Sequence, residues 1–356
     1  MLLPKFIITN KILSSIAKAE AAREVIENAP LVPAWEAKFR QEALLRTVHH
    51  GTHIEGNPLD INQAKEVLEG RDVAKAKDRD IQEIINYRNV LKFIDDRRST
   101  IDNRQNLSEK DLLELHRLTT DKVLPIGESG KLRTTQVVVK NSKTGEISFT
   151  PPPAKAVEGQ TKDFFEWLTS SNAEGLHPIL KAGIAHYEIA RIHPFVDGNG
   201  RTARSLATLI LFKEGYDIKK FFSLEEYYDK NPKDYYAALQ DASNQLITNE
   251  SERDLTGWLE YFCTGLAVEL ERIKEKVRKL SIDIKLKGKV GQLSLSERQA
   301  KIIEYIQDYG QVTNKEWRNL LPDVSDDTIL RDLKDLMKKK LVKKKGSTKS
   351  AVYVLR

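Results

Sequence analysis

A mainly α-helical protein with one β-hairpin and a small α+β domain at its C-terminal end is predicted from three observations. Apolar residues recur at helical spacing in run after run, and proline or glycine closes most of the runs. β-Branched residues gather ahead of an Asn/Gly-containing tip, Val137–Val139 before Asn141–Gly145, which marks a hairpin. Charge is unevenly spread: residues 281–356 hold 17 Lys+Arg against 10 Asp+Glu, a net of +7, whereas the whole chain carries +6, so the first 280 residues carry −1.

With 356 residues, of which 40% are hydrophobic, the chain is expected to form two or three domains with ample cores. Composition and breaks divide it into 1–105, 106–281, a Lys/Gly-rich linker at 282–292, and 293–356. The single cysteine, Cys263, excludes an intramolecular disulfide and a cysteine metal cluster, and its aromatic neighbours make it a buried thiol. Lys5 and Lys11 interrupt the apolar N-terminal stretch, and Leu206–Phe212 is far too short to span a bilayer. A cytoplasmic protein without a membrane partner follows.

In chain order, helices are predicted over 12–28 and 34–48, separated by Ala29–Pro33, where one proline ends a helix and the next opens one. Further helices fall at 79–97 and at 107–120, the latter with Ser108 as N-cap and Asp111 at N3. The hairpin strands are Gly127–Val139 and Glu146–Phe149, after which Pro151–Pro153 end the sheet and helices run over 156–170 and 177–192. A long helix covers 255–281 and ends in the mixed-charge run Glu269–Lys276. The C-terminal order is helix Ser296–Tyr309, helix Asn314–Leu321, helix Ser325–Lys339, then strands Leu341–Lys344 and Ala351–Leu355.

The chemistry gathers in twelve residues, His193-Pro194-Phe195-Val196-Asp197-Gly198-Asn199-Gly200-Arg201-Thr202-Ala203-Arg204. Pro194 stops the preceding helix, and the apolar spacing from Ala203 to Phe212 starts another that Gly215 caps. The glycines therefore stand at a helix N-terminus, where unpaired amides and the dipole attract anions. Arg201 and Arg204, three residues apart, can both grip polyphosphate, and Asp197 suits a hard cation such as Mg²⁺. His193 titrates near neutrality and can take a proton from an attacking hydroxyl. Phosphoryl or nucleotidyl chemistry is the reaction class these parts share. Upstream, His49, His50 and His53 raise a metal reading, but no second ligand cluster stands at characteristic spacing.

HPFVDGNGRTAR resembles the signature of Fic proteins, HPFx(D/E)GNGRxxR, and matches it at every fixed position. The resemblance implies a Fic-type helical core with a β-hairpin flap, and transfer of AMP from ATP to a Ser, Thr or Tyr hydroxyl of a target protein or of the chain itself, with loss of pyrophosphate. It implies His193 as general base and Asp197 as the Mg²⁺ ligand. Gly198, Asn199 and Gly200 become the anion hole, and Arg201 and Arg204 hold the β and γ phosphates, with Thr202 and Ala203 between them in the nucleotide-binding turn.

The stretch Gly51–Asn57 is similar to the Fic inhibitory motif, (S/T)xxxE(G/N), whose glutamate pairs with the second signature arginine. Here that pair is Glu55 and Arg204, and ATP would bind unproductively while it holds. The chain departs from the pattern at Gly51, the hydroxyl residue being Thr52, one place late; as an alternative, Ile54–Asn57 is an ordinary helix end capped by Gly56. The hairpin resembles the flap that adds a target segment as a strand, with Thr135, Gln136, Val137, Val138 and Val139 against the substrate; a merely structural hairpin is the alternative. Tyr235 and Tyr236 match a doubled tyrosine that lines the base pocket, though tyrosines at helical spacing also serve as core.

The C-terminal order resembles a winged helix, with Thr328 and Arg331 on the recognition helix and Lys343, Lys345 and Lys349 on the wing near phosphates. Asp326 and Asp327 oppose tight phosphate contact there, so DNA and a docking protein are both open as its partner. A homodimer is open as well. Two other functions compete: a DNA-binding regulator whose core senses nucleotide, and a related nucleotidyl transfer or AMP-removal activity with Glu55 orienting water.

Overall fold

The computed structural model of the chain describes residues 2–29, 31, 33–100, 106–140, 145–245, 247, 252–285, 295–309, 311–339, 341–346 and 351–355. Pro30 and Val32 of the first predicted break, the hairpin tip Asn141–Thr144, linker residues 286–292, and Ser347 and Lys349 lie outside them. The chain separates into two compact units: Met1–Asn28 with Ala37–Lys274, and Ala29–Glu36 with Glu275–Arg356.

The first unit is helical. α1 (Asn10–Glu27) is capped by Thr9, whose hydroxyl accepts the Ile12 amide, and α2 (Pro33–His53) opens on proline as predicted but runs one turn past 48. α3 (Ile61–Leu68) escapes the sequence reading, although Asp60 and Gln63 form a reciprocal capping box at its start. α4 (Asp78–Thr100) and α5 (Glu109–Thr120) follow, the latter with the Ser108–Asp111 cap in place.

The hairpin keeps only β1 (Val139–Lys140) against β2 (Ile147–Phe149), antiparallel, with Val139 opposite Phe149. The predicted first strand thus shrinks to its last residue, Val139. Upstream of it Gly127 and Gly130 turn the chain at positive φ, and the Arg133 amide donates to the Pro194 carbonyl at 2.8 Å instead of to a strand partner. β-Propensity yields to tertiary hydrogen bonding here.

α6 (Val157–Leu168), the single turn α7 (Ser171–Glu174), α8 (Pro178–Ile192) and α9 (Asn199–Lys213) come next. α8 and α9 are buried on nearly every face, as expected of helices at the centre of a core, and α4, α5 and α6 pack around them. α10 (Leu224–Lys230), α11 (Pro232–Ser243) and α12 (Thr256–Lys285) complete the set. The Trp258 indole N–H donates to the Gly183 carbonyl at 2.7 Å, tying α12 to α8, and Cys263 of the same helix is buried, its thiol pushed up to about 12 by desolvation. Arg46 bridges α2 to Glu226 of α10 and, at 2.8 Å, to Glu269 of α12; Arg272 pairs with the same two carboxylates.

The second unit carries α13 (Glu297–Tyr309), β3 (Val312–Thr313), α14 (Asn314–Leu320), α15 (Asp326–Lys338), β4 (Val342–Lys345) and β5 (Val352–Leu355). Its sheet is antiparallel in the order β3-β5-β4, and β3 is too short for an alternation pattern to reveal. Ile302, Ile306, Trp317, Ile329, Leu333 and Tyr353 make its core. Among the described residues no helix is long and apolar enough to cross a membrane.

Candidate active site

The turn between α8 and α9 builds the site. His193 closes α8 in the left-handed region, φ 52 and ψ 58, while its own amide still donates to the Ile189 carbonyl at 3.0 Å. Its Nδ1 lies 3.2 Å from the Ala190 carbonyl oxygen. A carbonyl only accepts, so Nδ1 carries the proton and Nε2 keeps its lone pair. Burial lowers the pKa of the imidazole, with Arg133 adding to the effect, and the ring is neutral near pH 7.

Between the helices the loop is clamped by Asn199, whose Oδ1 accepts from the Phe195 amide and whose Nδ2 donates to the Phe195 carbonyl, each at 2.9 Å. Gly198 is N-cap of α9 at φ 78, and a Cβ there would stand 2.8 Å from the Thr120 methyl, so conformation and space both demand glycine. The first intrahelical bond runs from Thr202 to Gly198, which leaves the amides of Asn199, Gly200 and Arg201 ahead of it at the positive end of the dipole. Thr202 also bonds the Gly198 carbonyl through its hydroxyl, and Ala203 is fully buried, so both pack the turn.

Asp197 is half-buried at the loop's edge. Its Oδ1 accepts from the Gly198 amide at 2.6 Å, and its Oδ2 stands 3.3 Å from the exposed Arg79 guanidinium. A carboxylate with one oxygen fixed and the other facing a cation fits Mg²⁺, which takes one or two protein carboxylates and completes its shell with water and phosphate.

Both arginines of the first turn are buried and face carboxylates. Arg204, 2% exposed, has Nη1 2.8 Å from Glu55 Oε1 and donates through Nη2 to the Gly51 carbonyl at 2.9 Å. Arg201, 3% exposed, has Nη1 3.4 Å from Glu83 Oε1. Among the described residues, Nε and Nη1 of each lack an aligned hydrogen-bond acceptor, so the contacts with Glu55 and Glu83 are ion pairs that leave donor directions unused. Burial works against the Arg204 charge, yet Glu55, with Tyr235 and Tyr87 behind it, keeps the guanidinium well above its ordinary pKa. Glu55 also lies over Gly200, at the amide end of α9.

Glu55 sits in the turn that ends α2, its amide on the Thr52 carbonyl, and Gly56 at φ 96 closes that helix. The helix-end reading and the pairing reading therefore describe one structure. Thr52 bonds back to the Val48 and His49 carbonyls at 3.0 Å, and Asn57 reaches α4 through Asp80 and Glu83. His50 and His53 both turn Nδ1 to Asp229, at 2.7 and 2.8 Å, and among the described residues no cluster of three or more His, Cys, Asp or Glu is placed to hold a metal ion.

Three positioning residues carry no motif. Arg133 donates to the carbonyls of His193 (2.7 Å), Thr135 (3.1 Å) and Pro152 (2.7 Å), joining the flap base to the signature loop. His116 accepts the Gly130 amide on Nδ1 at 2.9 Å and donates from Nε2 to the Asp197 carbonyl at 3.0 Å, while its ring stacks on Phe195 at 3.7 Å. Burial pushes its pKa down to about 4. Glu83 holds Arg201, Arg79 and Asn57 together. His116 alone left a trace in the sequence, as a histidine on the apolar face formed with Leu112 and Leu115.

On the flap, Thr135, Gln136 and Val138 are exposed and Val137 and Val139 half-buried; residues 135–138 have no strand partner among the described residues, and Gln136 bonds the Pro151 carbonyl. Tyr235 is 1% exposed, its ring stacked on Tyr228 at 4.7 Å and its hydroxyl on His186 at 2.9 Å. Tyr236 is the partner whose ring reaches the surface, 39% exposed, with its hydroxyl on the Ile54 carbonyl.

Residues 106–211 match the model of the Fic/DOC family. They are a Fic domain. Residues 298–350 match a DeoR-like helix-turn-helix domain. Protein adenylyltransferase fic-1 of Caenorhabditis elegans is 36% identical over 180 residues, 50% of this chain and 34% of the relative. Protein adenylyltransferase Fic of Nematostella vectensis is 32% identical over 192 residues, 53% of this chain and 43% of the relative. The matched region spans less than half the length of these curated relatives. A Fic family protein from Desulfovibrio desulfuricans, 23% identical, shares the fold over 100% of this chain and 98% of its own, with a TM-score of 0.68. Fic-1 of C. elegans, residues 134–508, aligns over 75% of this chain and 72% of its own at 26% identity and a TM-score of 0.59.

In the helix-turn-helix unit, Arg331, Lys343 and Lys345 are exposed, Thr328 is half-buried, and Lys349 is outside the described residues. Asp326 is bound by Arg318, with Nε 3.0 Å from Oδ1, which leaves Asp327 as the exposed acid at the start of α15.

Proposed function

We propose that the Fic domain transfers AMP from ATP to a protein hydroxyl, on a target or on the chain itself, and that Glu55 holds it inactive. The observation that carries this reading is the meeting of a neutral imidazole, His193, with an amide-lined helix start whose two buried arginines are occupied by carboxylates. A triphosphate is the anion that matches those arginines, and Glu55 takes the room it needs.

Once the phosphates replace Glu55, Arg201 and Arg204 hold the β and γ groups and the first-turn amides face the α-phosphate. The target hydroxyl attacks α-phosphorus in line, and its proton passes to His193 Nε2. A phosphorus–oxygen bond forms to the target as the bond to the β-phosphate breaks, and pyrophosphate leaves. Asp197 would hold Mg²⁺, which would supply charge neutralisation for the phosphates. Tyr236 offers its ring to the base with Tyr235 behind it, and residues 135–139 take the target as an added strand. Label from α-labelled ATP, and none from γ-labelled ATP, is expected on protein in a Glu55→Gly variant; label from γ alone would make the chain a kinase and reject the reading.

The helix-turn-helix match supports a second role. With Asp326 neutralised by Arg318, Arg331, Lys343 and Lys345 are free to meet phosphates, and we propose duplex DNA as the ligand of this unit. Deletion of residues 290–356 is expected to leave self-labelling within about twofold and to remove DNA binding whose affinity falls steeply with salt. Gel-shift titration at two salt concentrations checks this, and a full chain that ignores duplex DNA at low salt would leave the unit as a protein-docking module.

A further inference from the structure

Gly51 lies inside α2, where glycine costs roughly 0.5–1 kcal/mol relative to alanine, so its presence needs a compensating contact. The Tyr87 ring of α4 supplies it. A Cβ at position 51 would stand 2.9 Å from Tyr87 Cζ and nearer still to Cε1. Nor can that ring swing aside. Tyr87 is 1% exposed, and its hydroxyl donates at 2.9 Å to Glu225, a carboxyl itself only 3% exposed at the start of α10. With the ring seated there, the Gly51 carbonyl accepts from Arg204 Nη2 at 2.9 Å, one helical turn before Glu55 reaches Nη1 at 2.8 Å. One guanidinium is thus gripped at both terminal nitrogens by the end of one helix.

We propose that Tyr87, seated on Gly51 and anchored by Glu225, is a positioning residue that sets how firmly α2 holds Arg204 in the Glu55-paired state. This rests on the reading that the Glu55 pair is inhibitory. It turns the departure at Gly51 from a missing hydroxyl into a packing choice: the ring occupies the volume a side chain would fill. A serine there, which the inhibitory pattern carries, acts in this chain as a wedge. The buried ring cannot give, so α2 must shift, and the Gly51 carbonyl and Glu55 leave Arg204 together.

The test compares the full-length wild type, Gly51→Ser, Glu55→Gly and the double variant Gly51→Ser/Tyr87→Leu, in two readouts: self-labelling from α-labelled ATP, and amide hydrogen exchange of residues 48–57. Gly51→Ser is expected to label about 10-fold faster than wild type and to exchange faster in that segment by a similar factor, since small misplacements at a site are worth that much or more. Adding Tyr87→Leu makes room for the serine and returns both readouts towards wild type. Wild-type labelling and exchange in Gly51→Ser, beside fast labelling by Glu55→Gly, overturns the role of Tyr87 and leaves the inhibitory reading standing. If Glu55→Gly does not label, the inhibitory reading falls, and exchange alone decides whether Tyr87 controls α2. If Gly51→Ser does not fold, recovery of folding in the double variant upholds the contact and failure to recover overturns it.

Discussion

Glu55→Gly is expected to label protein from α-labelled ATP on the order of 100-fold faster than wild type, and adding His193→Ala to return it to background. The size follows from geometry. In the proposed mechanism, the guanidinium cannot orient the γ-phosphate while Glu55 stands 2.8 Å from Arg204 Nη1, and an α-phosphate misplaced by about an ångström can lose 100-fold in rate. The substitution introduces no catalytic group; it removes a carboxylate from the amide end of α9, and glycine suits a turn that already ends at Gly56. The bond from Arg204 to the Gly51 carbonyl does not involve the Glu55 side chain, so the variant is expected to retain part of this rotamer's support. Equal labelling by wild type and Glu55→Gly would reject inhibition by this residue. Labelling that survives His193→Ala would reject the imidazole as base.

The elements that the sequence disclosed are those whose signal is local. Helix periodicity found α8 and α9 because proline, glycine and apolar spacing lie along the same fifteen or so residues, and the signature was legible because its parts are contiguous. The Glu55–Arg204 pair, 149 positions apart, entered only through resemblance to other Fic proteins; no feature of either stretch points at the other. For the same reason Arg133, Glu83 and Tyr87 stayed hidden, since each acts through partners fixed by folding, and His116 left only its place on an apolar helix face. Local signals also misled. Val137–Val139 look like a strand, but Arg133 ties the chain upstream of them to Pro194, so pairing starts at Val139. The doubled tyrosine reads as one feature, yet adjacent positions on a helix point about 100° apart, which buries Tyr235 and brings Tyr236 to the surface.

Asp197→Ala, made in the Glu55→Gly background, is expected to lose at least about 100-fold of the labelling rate with the fold intact, because removing one group that stabilises transition-state charge costs that much. Folding should survive because the side chain does little packing. Its Oδ2 meets only the exposed Arg79 among the described residues, and the strong anchor of this loop is the Asp197 main-chain carbonyl, which accepts from His116 at 3.0 Å and is unchanged by the substitution. One side-chain contact does remain, the 2.6 Å bond from the Gly198 amide to Oδ1, and losing it could disturb the anion hole without any metal being involved. Asp197→Asn separates the two effects. The amide oxygen still accepts from Gly198, so the turn is kept, but the negative charge that a hard cation requires is gone. If the carboxylate acts through Mg²⁺, Asn is as inactive as Ala, and raising Mg²⁺ tenfold recovers little in either. If it acts by capping the turn, Asn labels like the Glu55→Gly parent, and that result would remove Asp197 as a metal ligand.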